Sequence, residues 1–239
     1  MSPSNHLVAL KQPLTFMFIF TAFTLTSVFA DAQESEKDGE AEKAVEVKVK
    51  GQSIKVPYPA GLLPKKKVLK SFTAFIEKSA PTNTLHEVFA TPEATEKSFL
   101  EKGITINADV QSVNAVGPVD QATFNQVKVI LGKQFGQILK QAAKEIKDRT
   151  GADLGTNSTG GKFVDEDNRF AFLIFSKMDT PDGQIERASA SCLCFLHNRL
   201  VLCNLHKNKE SDEDVKWVKA EARKWMEAIC EANKPVGDN

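Results

Sequence analysis

Val45, Val47 and Val49 alternate with Glu46, Lys48 and Lys50. An apolar–polar period of two marks a strand with one buried face. Gly51-Gln52 turns the chain, and Ile54 and Val56 continue as a second short strand up to Pro57. Pro57 to Gly61 reads as a rigid loop. The period then changes. Val68, Leu69, Phe72, Phe75 and Ile76 recur at steps of three and four, which predicts a helix over 65–78. Residues 85–90 read as a strand. Thr91-Pro92 supplies a capping hydroxyl followed by proline and predicts a helix that Gly103 ends. Ile104, Ile106, Ala108 and Val110 alternate again as a strand.

The longest helical stripe runs through Phe124, Val127, Leu131, Phe135, Ile138, Ala142 and Ile146, with Asp120 placed to cap it and Gly151 to end it. Gly132 and Gly136 lie off the stripe, where another element has room to approach closely. A Gly/Thr/Ser-rich stretch reads as a loop up to Lys162, followed by a short strand at Phe163-Val164 and a turn at 165–168. Residues 169–175 are apolar enough for a central strand, and Thr180-Pro181-Asp182-Gly183 is a turn. Residues 186–196 and 200–206 form a hairpin about His197-Asn198-Arg199. Ser211 and Asp214 form a capping box that opens a last helix with the stripe Val215, Val218, Ala222, Trp225, Ile229 and Ala232. Hairpins with a closing helix predict an α+β fold. It would be a single domain, an antiparallel sheet covered by amphipathic helices, closed by a C-terminal β-hairpin plus helix.

The N-terminal pattern sets the expected compartment. Lys11 precedes a run of 17 residues from Leu14 to Ala30, with five threonines or serines and no acid before Asp31. With Val28-Phe29-Ala30 as a cleavage site, residues 1–30 read as a signal peptide. The alternative is an uncleaved signal-anchor, for which the run is short of the roughly 20 apolar residues of a membrane span. Residues 31–44 hold six acids and two lysines and read as a flexible acidic leader. Residues 45–233 make the single domain, and 234–239 a flexible tail. The localisation expected is export, periplasmic or secreted, with no stable membrane span after cleavage.

Composition narrows the chemistry. The 239 residues carry 31 basic and 31 acidic side chains, so there is no basic footprint and nucleic acid is not an expected partner. The glycine-rich stretch from Gly151 to Lys162 fails as a phosphate loop, since no Ser or Thr follows Lys162 and the segment follows a helix rather than a strand. Within it, Asn157-Ser158-Thr159 is a glycosylation sequon. Cys192, Cys194, His197, Cys203 and His206 offer soft ligands at poor spacing for zinc. There is no G-x-S-x-G elbow. The acids at 165–167 and 210–214 read as turn and helix-start residues, and Lys65, Lys66, Lys67 and Lys70 as a solvated helix face. No catalytic, cofactor-binding or metal-ligating residue is assigned, and no cofactor is expected.

Four cysteines after the cleavage site meet an oxidising compartment, and at least one disulfide is expected among Cys192, Cys194, Cys203 and Cys230. A two-residue turn at Asn198-Arg199 sets Cys203 opposite Cys194, a four-residue turn sets it opposite Cys192, and Cys230 on the last helix reaches the remaining one. Trp217, off the apolar stripe, is either an interaction anchor or a cap on the sheet edge.

Residues 45–57 with Gly61-Leu62, and Arg199-Leu200-Val201-Leu202 leading through Trp217 and Trp225 to Ala232-Asn233, resemble small exported bacterial domains with a PsbP-like α/β/α sandwich. The resemblance implies a non-catalytic envelope or accessory role and transfers no site residue. The function expected is an exported non-enzymatic accessory or binding domain of the cell envelope, with an envelope protein or small ligand as partner. The alternative is a small exported hydrolase.

Overall fold

The computed structural model describes residues 44–114, 117–151, 156–180 and 183–234. The expected signal peptide, all but the last residue of the acidic leader, and 235–239 of the tail lie outside the described residues. Ala44 belongs to the first strand rather than to the leader.

Strands β1 (Ala44–Val49) and β2 (Gln52–Pro57) form a separate hairpin. Then come β3 (Leu63–Pro64), α1 (Lys70–Ser79), β4 (Asn83–Ala90), α2 (Glu96–Lys102), β5 (Ile106–Val113) and α3 (Gln121–Thr150). The C-terminal part is β6 (Thr156–Asp165), β7 (Arg169–Thr180), β8 (Gly183–Leu196), β9 (Arg199–Asn208) and α4 (Asp212–Ala232). Seven strands pair antiparallel in the order β3-β4-β5-β9-β8-β7-β6. The α+β fold predicted from the periodicities is the one observed.

Both faces of the sheet are covered. On one, Phe124, Leu131 and Phe135 of α3 pack on Phe170, Phe172, Ile174, Leu193 and Leu202. The Phe135 and Phe172 rings stack with centroids 3.9 Å apart. On the other, Val218, Ala222, Trp225, Met226 and Ile229 of α4 meet Ala188, Ala190, Leu173 and Leu205. The β1–β2 hairpin adds Val47, Ile54 and Val56 there. Each buried Val, Leu, Ile, Phe or Met among them contributes about 1.5–3 kcal/mol. Trp225 Nε1 donates to the Pro57 carbonyl at 2.7 Å and so ties the hairpin to α4. A smaller cluster joins α1 and α2 to β4 through Leu69, Phe72, Phe99 and Val88.

Five local expectations change. Helix α1 starts at Lys70, not 65, because Val68 and Leu69 N–H close a turn on the Lys65 carbonyl, which leaves Val68 43% exposed. Thr91-Pro92 forms a turn, and α2 begins after Thr95, whose hydroxyl accepts from Ser98 N–H in a capping box. The stretch 156–162, expected to be loop, is most of the edge strand β6. Its glycines serve packing at 160 and a positive φ at 161. A Cβ at Gly160 would lie 2.6 Å from Leu173 Cδ2 and 2.7 Å from Phe175 Cε2, and Gly161 sits at φ +85° beside a bulge. The hairpin turn is His197-Asn198, at φ 47° and 59°, as a two-residue turn between twisted strands requires. Gly132 and Gly136, by contrast, have nothing within 4 Å of where a Cβ would stand, so no described element approaches them.

Candidate functional site

The position of the β8–β9 turn fixes the cysteines. Cys192 stands directly opposite Cys203, and both lie with Cys194 on the α4 side of the sheet, fully buried. Cys230 reaches them half-buried from α4, and the Cys194 thiol touches those of both Cys203 and Cys230. All four are free thiols, which corrects the expected disulfide. The physical reason is the interior they share. Burial pushes the Cys192 thiol well up, contact with Cys203 does the same to Cys194, and contact with Cys194 followed by burial raises Cys230. Thiol–disulfide exchange needs a thiolate, and these groups are held as thiols.

His206 faces the opposite side of the sheet from these cysteines, paired with Ser189 in the ladder, and His197 is exposed on the turn. Among the described residues no group of three or more His, Cys, Asp and Glu is arranged to hold a metal ion. Trp217 is half-buried against the α4 core, with the Lys207 ammonium 4.9 Å from its ring centroid. In the Lys65–Lys70 run, Lys65 Nζ donates to the Pro92 carbonyl at 2.8 Å and Lys66 pairs with Glu77 at 3.4 Å.

Sequence reasoning missed a polar band inside the sheet on the α3 side. Asn107, Asp109 and Gln111 of β5, Asn204 and His206 of β9, and Ser189 and Ser191 of β8 are all buried. Asp109 is fully buried; its Oδ1 accepts from Gln111 Nε2 at 2.7 Å and from Asn204 Nδ2 at 3.0 Å. Its Oδ2 lies 3.3 Å from His206 Nε2, whose Nδ1 is 2.9 Å from Ser189 Oγ. Serine, histidine and carboxylate are thus in line, but Ser189 is fully buried and neither cleft described below reaches it. Arg187, at the end of this band, donates through Nη2 to Asn107 Oδ1 and to the Ile104 carbonyl. Burial lowers its pKa to about 10 against the pull of Asp109. The signal was present as polar residues at period two in β5 and β8. It was unreadable because such residues ordinarily face water.

Among the concavities of the described surface, two have charged lining residues. A small cavity of about 50 Å³ lies where β9 ends, lined by Ser158, Phe175, Ser176, Lys177, Glu186, Arg187 and Lys209. A broad open cleft of about 500 Å³ lies between α3 and β6, lined by Asn125, Lys128, Val129, Gly132, Lys133 and β6 residues Lys162 and Asp165. Asp165 joins its walls. It pairs with Lys162 at 2.6 Å and Lys128 at 3.2 Å, and the Lys162 contact holds its carboxyl below the usual range. Among the described residues no helix is long and apolar enough to cross a membrane.

No family model and no curated protein matches the chain. Solved structures do, two of them Mog1. A point mutant of the protein Mog1 has TM-score 0.37 and 13% identity over 79% of this chain and 94% of that one. The Saccharomyces cerevisiae Ran-binding protein Mog1p has TM-score 0.36 and 13% identity over 80% and 95%. The expectation of an exported accessory or binding domain of the cell envelope, with a small exported hydrolase as alternative, is corrected at this point. Two of the matching structures are Mog1, one of them described as Ran-binding, and the secreted, periplasmic reading is not retained.

Proposed function

We propose that the chain is a non-catalytic binding module whose contact surface is the exposed face of α3 and the cleft it forms with β6, and that its partner is an acidic segment of another protein. The observation that carries this is the charge of α3. It holds six basic and two acidic residues in a chain whose charges balance only when α3 is included. Lys133, Lys140 and Lys144 are exposed along it. One turn before Lys133, Val129 is 55% exposed, and Gly132 and Gly136 add no side chain to that part of the helix. An apolar centre with a charged rim is the anatomy of a protein contact, and one sign of charge speeds encounter with the other. A non-catalytic role is supported by the seclusion of Ser189, His206 and Asp109, and by a cleft whose titratable groups are lysines and the paired Asp165.

The test is fluorescence anisotropy with a labelled peptide of ten glutamates, on the chain and on a Lys133→Glu/Lys140→Glu variant. Binding should weaken about tenfold in the variant and fall with salt. A Lys216→Glu/Lys224→Glu variant, reversed on α4 instead, should bind as the parent does. Equal binding by all three, or binding only to phosphatidylserine vesicles, would overturn the proposal.

A further inference from the structure

Val129 is the most exposed large apolar side chain among the described residues, at 55%, and it lines the cleft between α3 and β6. At 3.6 residues per turn, Asn125, Val129 and Gly132 fall within about 60° of the helix circumference. This strip of α3 is the one that faces the β6 residues Lys162 and Asp165 across the cleft. Gly132 adds no side chain, and nothing lies within 4 Å of where its Cβ would stand. The helix side of the cleft is therefore apolar at Val129 and unfilled beside it.

The walls are set before anything binds. Lys128 is taken up within the fold. Its ammonium lies 3.2 Å from Asp165, donates to the Glu166 carbonyl at 2.7 Å and stands 5.5 Å from the Phe124 ring centroid. Lys162 holds the other Asp165 oxygen at 2.6 Å. Asp165 is thus satisfied, and Lys133, exposed on the rim, has no ion-pair partner among the described residues. A volume of about 500 Å³ is that of a ligand cleft and admits a large side chain together with its backbone. Lys133 stands four residues beyond Val129, about 6 Å along the helix axis. In an extended chain, residues two apart point to the same side at a spacing of about 6.6 Å. We propose that the cleft selects an acidic segment carrying one bulky apolar residue, seated over Val129 and Gly132, with an acid two residues along paired to Lys133. The inference rests on the acidic-segment reading of this surface and adds the residue that gives it selectivity. Charge alone accepts any acidic chain, whereas an anchor that must be desolvated discriminates among them.

The experiment is fluorescence anisotropy of the full chain with two labelled peptides of equal charge, four glutamates on either side of a central phenylalanine or a central glycine. The phenylalanine peptide should bind roughly tenfold or more tightly, the worth of one buried aromatic side chain. Gly132→Leu fills the cleft and should bring that preference below about threefold. Leucine is a good helix former at a position with open space around it, so this variant folds. Val129→Ser should reduce the preference as well. Equal affinity of the parent for the two peptides overturns the inference and leaves the acidic-segment reading standing, whereas no binding of either overturns both. A preference for phenylalanine that both variants leave unchanged puts the anchor elsewhere and overturns the inference too.

Discussion

His206 bridges Asp109 and Ser189, with its Nε2 3.3 Å from Asp109 Oδ2 and its Nδ1 2.9 Å from Ser189 Oγ. Asp109 only accepts, so the bridging geometry assigns the ring proton to Nε2, and Nδ1 accepts from the serine hydroxyl. Burial lowers the pKa of His206, and Arg187 adds to that, although Asp109 pulls the other way. The imidazole is therefore held neutral and serves as a rigid link between strands.

Acid should loosen the fold through its histidines before it reaches most carboxylates. His86, bonded to Ser112 Oγ at 2.8 Å, is lowered to about 4, first by burial and then by Lys66, and His206 is lowered too. Both take up a proton more readily when unfolded, at about pH 6.5. Stability is then full above that pH and declines as pH falls toward the folded values. Urea midpoints at pH 7, 6 and 5 should decrease, and His86→Asn should flatten the decrease. Parallel slopes for parent and variant would contradict neutral burial of His86.

The thiols give a second measurement. Denatured without reductant, the chain should yield four reactive thiols with Ellman's reagent, in keeping with four free cysteines. In the native state none should react quickly, because burial and mutual contact disfavour the thiolates. Cys192→Ala should cost roughly 1–2 kcal/mol from the void it leaves. A count of two thiols would restore the disulfide.

Glycines of opposite context should respond in opposite directions. Gly160→Ala drives a methyl into Leu173 and Phe175 and should destabilise by about 1–3 kcal/mol. Gly136→Ala, exposed in the middle of α3 with open space around it, should stabilise by roughly 0.5–1 kcal/mol. Chemical denaturation of the two variants side by side checks both. Equal effects would mean that β6 does not pack against β7 as described.

The elements legible in the sequence were those in which one periodicity ran unbroken. The stripe from Phe124 to Ile146, with Asp120 accepting from Thr123 N–H and Gly151 in the left-handed region, is α3 as read. Ser211 and Asp214 open α4 as a capping box. β6 was hidden because residues 156–162 have turn composition; the side chains of Leu173 and Phe175 on the neighbouring strand explain Gly160, and a positive φ beside the bulge explains Gly161. The cysteine grouping was visible from spacing, but the exact turn was not, and one residue of shift exchanged Cys194 for Cys192 as the partner of Cys203. The lysines of α3 were unremarkable one by one. Their meaning comes from β6 lying beside them and from Gly132, which adds no side chain there.

The sheet has one junction between strands that do not follow each other, where β5 pairs with β9 and Ser112 meets Val201. A ribosome delivers β3, β4 and β5 first and must then make α3 and three more strands before β9 emerges. At typical synthesis speeds the outer edge of β5 stays open for roughly 5–20 seconds. An open strand edge invites pairing with a neighbouring nascent chain. On that edge β5 carries Asn107, Asp109 and Gln111, polar or charged residues that other chains are slow to cover. The same side chains that later knit the finished sheet together thus keep its first half solitary while it waits for the second.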